Sequence, residues 1–229
     1  MRTIGILGGM SAESTQLYYS ELCKLTRARL GGLHSPELLI RSIDFTRIET
    51  LQMADRWEDA GRLLNEEARA LAQGGAELLL LATNTMHKVA GQMLDGVDLP
   101  FVHIADATAD AVVAAGCSSP GLMATRFTME QTFYTDRLRA RGLTPMVPGA
   151  ADREETHRII YDELCMGQIL DASRMQYVDI AERLIVSGAD ALILGCTEVG
   201  LLLHRDNVRV PVFDTTRIHC EAALAAALA

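Results

Sequence analysis

The sequence is short of aromatic residues, of basic residues and of paired cysteines, and each shortage removes a class of function. Phe, Trp and Tyr make up 5% of its 229 residues and Trp57 is the single tryptophan. No aromatic platform for stacked bases can be built from so few. Lys and Arg number 21 against 30 Asp and Glu, for a net charge of −9, and no basic stripe follows a phosphate backbone, so no nucleic-acid partner is expected. The five cysteines (Cys23, Cys117, Cys165, Cys196, Cys220) are odd in number and form no CxxC pair, which argues against a disulfide framework and a Cys-rich zinc site. His87, His103 and His219 are isolated and no HxxxH or HExxH spacing occurs, so no metal is expected. The longest apolar run, Leu78 to Ala82, falls far below the roughly 18 residues of a membrane span. No membrane partner is expected. The start, Met1-Arg2-Thr3-Ile4-Gly5, lacks the regions of a secretory signal, and a cytoplasmic protein is the expectation.

What is present is the composition of a compact domain or pair of domains, with 49% hydrophobic and 22% charged residues. Short apolar runs alternate with longer stretches of helical period. Strands are predicted at Thr3 to Leu7, Glu37 to Ile43, Glu77 to Ala82, Phe101 to Ile104, Gly121 to Ala124, Ala191 to Leu194 and Val210 to Phe213. Helices are predicted at Ser14 to Arg29, Arg56 to Gln73, Met129 to Arg139, Arg153 to Leu164 and Ala172 to Ser187, where apolar residues recur three or four apart. Such alternation implies parallel sheets in a doubly wound α/β fold.

An internal repeat organises the chain. Gly75-Ala76-Glu77, four Leu, Ala82 and Thr83-Asn84-Thr85 match Gly188-Ala189-Asp190, Ala-Leu-Ile-Leu, Gly195 and Cys196-Thr197-Glu198 at a constant offset of 113 residues. Thr83 and Cys196 are thereby equivalent. A second echo pairs Gly5-Ile6-Leu7 and Tyr18 with Gly121-Leu122-Met123 and Tyr134 at an offset of 116. Two similar α/β halves should offer the carboxyl ends of their strands to a shared crevice, where open sheets place ligands.

Three short segments could carry chemistry. Gly5-x-x-Gly8-Gly9-Met10-Ser11 follows a strand and precedes a helix, and its glycines serve either an anion or a tight turn. It fits neither the GxGxxG nor the GxxxxGK[ST] nucleotide loop. Thr83-Asn84-Thr85 and Cys196-Thr197-Glu198 end two buried strands, where hydroxyls and amides can hold a small zwitterion. There Cys196 is either a buried apolar side chain or a thiol ionised by nearby N–H groups that acts as base or nucleophile.

Several motifs together resemble the aspartate/glutamate racemase family of cofactor-independent amino acid racemases, in particular its bacterial branch. They are Ile6-Leu7-Gly8-Gly9-Met10-Ser11 with Glu13-Ser14, Arg29-Leu30-Gly31-Gly32-Leu33-His34-Ser35, Thr83-Asn84-Thr85-Met86-His87-Lys88, His103-Ile104-Ala105-Asp106-Ala107, Thr125-Arg126-Phe127-Thr128-Met129-Glu130 and Gly195-Cys196-Thr197-Glu198. The resemblance implies two pseudo-symmetric α/β domains with mainly parallel four-stranded sheets and an active site in the crevice between them. It sets the first domain at 1–98 plus 208–229 and the second at 99–207. A homodimer and no cofactor are implied as well.

In that family two groups flank the α-carbon, one removing a proton from one face and the other returning one to the opposite face. Both are usually cysteines, and this sequence departs from the pattern at Thr83, whose hydroxyl is a far weaker acid than a thiol. The resemblance assigns Cys196 as base toward L-substrate and Thr83 as the opposing acid, with preference for L-amino acids. It places Met10, Gln52, Asn84, Thr85, Thr197 and Glu198 around the substrate. Arg47 roughly matches a family arginine that contacts a side-chain carboxylate, although it could equally be a surface helix cation. A family lysine with the same task is replaced by Cys165, which admits substrates beyond aspartate and glutamate, homoserine among them. A hydantoin racemase, a maleate isomerase and a non-catalytic amino-acid-binding protein are the alternatives.

Overall fold

A computed structural model describes residues 1–229, the Leu201 side chain excepted. Six strands form: β1 (Ile4–Gly8), β2 (Leu38–Ser42), β3 (Leu78–Leu81), β4 (Pro120–Ala124), β5 (Ala191–Gly195) and β6 (Val212–Asp214). Between them run the helices α1 (Ala12–Leu30), α2 (Phe45–Met53), α3 (Trp57–Gln73), α4 (Ala90–Met93), α5 (Ile104–Ala114), α6 (Arg126–Glu130), α7 (Thr132–Ala140), α8 (Ala150–Asp162), α9 (Asp171–Val186) and α10 (Thr215–Leu228). The chain divides into two compact units, Met1–His103 with His219–Ala229, and Ile104–Ile218.

In the first unit β2, β1 and β3 lie in that order as a parallel sheet. Every residue of β1 and β3 is buried, which is why these strands read as unbroken apolar runs rather than alternating ones. Ile4, Ile6, Leu78 and Leu80 pack against Tyr18 and Leu22 of α1 and Cys220, Ala223 and Leu224 of α10. On the other face a Cβ at Gly5 would stand 2.8 Å from that of Ala76 and 3.4 Å from that of Leu71. Helix α3 therefore lies almost on the backbone of β1.

The second unit carries a parallel sheet of order β4-β5-β6. Leu122, Ala124 and Ile193 face Ile104 and Val112 of α5 and Leu138 of α7. Met123, Leu192 and Leu194 face Ile159 of α8 and Ile180 and Leu184 of α9. Covering both faces of each sheet with helices removes most of the strands' apolar surface from water, at about 25 cal/mol per Å².

The repeat is visible in the hydrogen bonding. The Leu79 N–H donates to Pro100 O at 2.8 Å, and 113 residues on the Leu192 N–H donates to Pro211 O at 2.9 Å. Each sheet nevertheless has three strands, where four were expected. The expected strand Phe101 to Ile104 meets β3 at one bridge, Leu79 to Phe101, and Met146 meets β4 at one bridge to Gly121. Only two further residues separate Phe101 from the start of α5 at Ile104, too few for a ladder of consecutive pairs.

Other boundaries shift for local reasons. The single helix expected over Met129 to Arg139 is two, because Gln131 adopts an extended backbone (φ −94°, ψ 148°) that ends α6 and starts α7. Helices α2, α4, α5 and α10 were not anticipated. The sequence reading returns the chain to the first domain at residue 208, whereas β6 is bonded to β5 and the first unit resumes at His219.

Candidate active site

The loop after β1 is held by one side chain. Thr15 Oγ1 accepts from the Gly9 N–H at 2.7 Å and donates to Ser11 O at 2.9 Å, while Ser11 Oγ caps α1 by accepting from the Ser14 N–H at 3.2 Å. A Cβ at Gly8 would come within 2.5 Å of Thr15 Oγ1, and one at Gly9, whose φ is +86°, within 2.0 Å of Ile43 O. Close packing thus accounts for both glycines, and the Gly9 N–H is already used. Met10 is buried beside this turn.

Because β3 neighbours β1 in register, Thr83-Asn84-Thr85 leaves the sheet next to that loop. Ser14 Oγ donates to Ala82 O at 3.0 Å and ties the two together. Thr83, Asn84 and Thr85 are all buried, and the chain then enters a 3-10 turn, Thr85–Val89. Gln52, buried near the end of α2, donates through Nε2 to Met86 Sδ at 3.0 Å. The first unit therefore gathers Met10, Gln52, Thr83, Asn84 and Thr85 about the carboxyl end of its sheet. Arg47 is exposed on α2.

In the second unit β5 ends at Gly195, where a Cβ would stand 2.8 Å from Leu122 Cδ1 and 2.9 Å from the Ala124 Cβ. Cys196, Thr197 and Glu198 follow, all buried. The Cys196 thiol donates to Glu198 Oε2 at 3.0 Å, and Thr197 Oγ1 donates to the same oxygen at 2.5 Å. Burial, and after it the Glu198 carboxylate, push the Cys196 thiol well above its ordinary pKa. The sequence reading allowed a thiol ionised by nearby N–H groups. The neighbour here is a carboxylate that accepts the thiol's hydrogen bond, and with burial it disfavours the thiolate. Cys165 is half-buried and packs on the core cluster that contains Cys196.

Sequence reasoning missed a buried histidine cluster. His87, His103 and His219, far apart in the chain, meet in a buried cluster: the ring centroid of His87 lies 4.5 Å from that of His103 and 5.7 Å from that of His219. His219 donates through Nε2 to Val102 O at 2.7 Å, because a carbonyl only accepts, and its Nδ1 accepts from Tyr18 Oη at 2.7 Å. Burial pushes its pKa down to about 4, and the ring is neutral. His87 Nδ1 donates to Thr83 O at 2.7 Å. The clue in the sequence is position, since His87 follows Thr83 by four residues and His103 follows the Phe101 bridge by two. Among the described residues no group of three or more His, Cys, Asp and Glu is arranged to hold a metal ion.

The Asp/Glu/Hydantoin racemase family model matches residues 7–223. A proposed Asp/Glu racemase of Yersinia pestis is 45% identical over all of both chains, with a TM-score of 0.92. An aspartate racemase homologue from Pyrococcus horikoshii OT3 is 35% identical over all of both chains, with a TM-score of 0.87. At 20% identity the aspartate racemase of Picrophilus torridus shares the fold, covering 99% of this chain and 94% of its own with a TM-score of 0.81.

Proposed function

The chain belongs to the Asp/Glu/hydantoin racemase family, and from that premise we propose that it interconverts L- and D-amino acids by two-base proton transfer at the α-carbon, without pyridoxal phosphate. The observation that carries the proposal is the buried Cys196 thiol bonded to Glu198 at 3.0 Å, at the strand end that the repeat equates with Thr83. An acid–base residue must be held still and dry to work on a carbon acid.

Cys196 is the base toward L-substrate and Glu198 is the acceptor for its proton. An incoming ammonium group would favour the thiolate, since an opposite charge a few ångströms away lowers a thiol pKa. Thr83 is the acid on the opposite face, and its hydroxyl delivers a proton more readily than it removes one. Preference for L-substrate follows from that inequality. Met10, Gln52, Asn84, Thr85 and Thr197 line the substrate, with Arg47 meeting a side-chain carboxylate. Cys165, at a position that resembles the family's lysine site, widens the range to side chains without that charge. A homodimer and a cytoplasmic setting accompany this reading.

Incubating dialysed, chelator-treated protein with L-aspartate, L-glutamate and L-homoserine in D₂O tests it. The expected result is loss of the α-proton NMR signal and accumulation of D-isomer. Binding without any exchange would instead identify an amino-acid-binding protein, and a requirement for pyridoxal phosphate or a metal would refute the cofactor-free mechanism.

A further inference from the structure

The histidine cluster has no place in the two-base scheme, yet it touches the backbone of one of the two proposed acid–base residues. Several backbone groups around Thr83 are engaged. The Ala82 N–H donates to Leu7 O at 2.8 Å, the Thr83 N–H closes a tight turn onto Leu81 O at 2.9 Å, and Ala82 O accepts from Ser14 Oγ at 3.0 Å. Thr83 O is held by a side chain four residues on, through His87 Nδ1 at 2.7 Å. That imidazole is boxed by the rings of Phe101, His103 and His219, with centroids 5.5, 4.5 and 5.7 Å away. His219 is itself fixed at both nitrogens, by Tyr18 and by Val102 O.

The other half of the repeat lacks this device. The residue 113 positions after His87 is Gly200, and the Cys196 carbonyl accepts a backbone N–H, that of Val199, at 3.1 Å. Cys196 has instead a carboxylate on its reacting atom. The two halves are thus equipped differently. A thiol can be tuned by a neighbouring charge, whereas a hydroxyl of ordinary pKa depends on where it points.

We infer that His87 is a positioning residue for the Thr83 face: through its Nδ1–H it locks the Thr83 carbonyl, and with it the direction of the Thr83 hydroxyl. The inference rests on the racemase reading and concerns one face of it only. Three replacements separate the donor from the packing. Asn presents an amide N–H close to the place of Nδ1, Gln presents one near Nε2, and Leu presents none.

The experiment measures, for each variant, α-proton exchange of L-substrate in D₂O with retention, which Cys196 serves alone, and inversion to D-isomer, which needs Thr83. His87→Leu and His87→Gln should slow inversion about tenfold or more while exchange with retention changes less than about threefold, and His87→Asn should return inversion to within about threefold of wild type. In a Thr83→Ala background His87→Gln should have no further effect on the residual inversion, since the group it positions is gone. Equal loss of exchange and inversion, or no rescue by Asn, overturns the inference and leaves the racemase reading intact. Should the Leu variant not fold, the Asn and Gln variants decide alone. Absence of exchange and inversion in the wild type overturns the racemase reading and this inference with it.

Discussion

Replacing Glu198 by Gln should make Cys196 more reactive and the enzyme slower. The thiol is buried and sits 3.0 Å from Glu198 Oε2. Burial contributes most to its raised pKa and the carboxylate adds to it; the substitution removes only the second cause. Two unit charges about 4 Å apart repel by about 4 kcal/mol at an effective dielectric of about 20, which corresponds to roughly a thousandfold in the thiolate population. Thiolates of lower pKa are weaker nucleophiles, with a Brønsted slope of about 0.4 to 0.5, so roughly half of that logarithmic gain survives in a reaction rate.

The expected outcome is therefore a 10- to 100-fold rise in the rate at which iodoacetamide alkylates Cys196 at pH 7, read by mass spectrometry of its peptide with Cys196→Ser as the control. Racemisation should fall over the same comparison, because the substrate ammonium already favours the thiolate in the complex and a thiolate of lower pKa is a weaker base. An alkylation rate unchanged or lowered in Glu198→Gln would show that the carboxylate does not hold the thiol proton. Burial alone would then account for the pKa, and the role given to Glu198 would be wrong.

Three further outcomes are expected. Cys196→Ser should remove exchange of the L-substrate α-proton with the fold unchanged by circular dichroism, since a serine hydroxyl is far too weak a base for that carbon acid; retention within a few-fold of wild-type exchange would mean another base serves that face. Thr83→Cys should raise kcat from D-substrate more than from L-substrate, measured as initial rates in both directions, while the ratio of the two kcat/KM values stays at one because free enantiomers have equal energy. Stability should be complete above about pH 6.5 and should fall as pH drops toward 4, because the unfolded chain binds a proton that buried His219, with its pKa near 4, refuses. The loss at pH 4 amounts to about 3 kcal/mol. Denaturant melts across that window should show it, and His219→Gln, which keeps an N–H donor for Val102 O, should flatten the dependence.

The order of elements and the pairing of strand ends are written in the local pattern of residues. A strand buried on both faces must be apolar throughout, so β1, β3, β4 and β5 are all visible as short unbroken runs. A duplicated strand carries its flanking residues with it, so Thr83 and Cys196 match in the sequence alone. Helices α5 and α10 escaped because their buried faces are largely alanine and threonine, which leaves little contrast between apolar and polar sides. The tertiary structure alone decided what surrounds each candidate side chain. His87, His103 and His219 have no spacing in common, because the elements that carry them meet only after the sheet has formed. The rise of the Cys196 pKa likewise comes from burial first and then from Glu198 turning back onto the sulfur. Sequence spacing fixes which residues leave a strand together, but electrostatics depends on distance and burial, and both are set by packing.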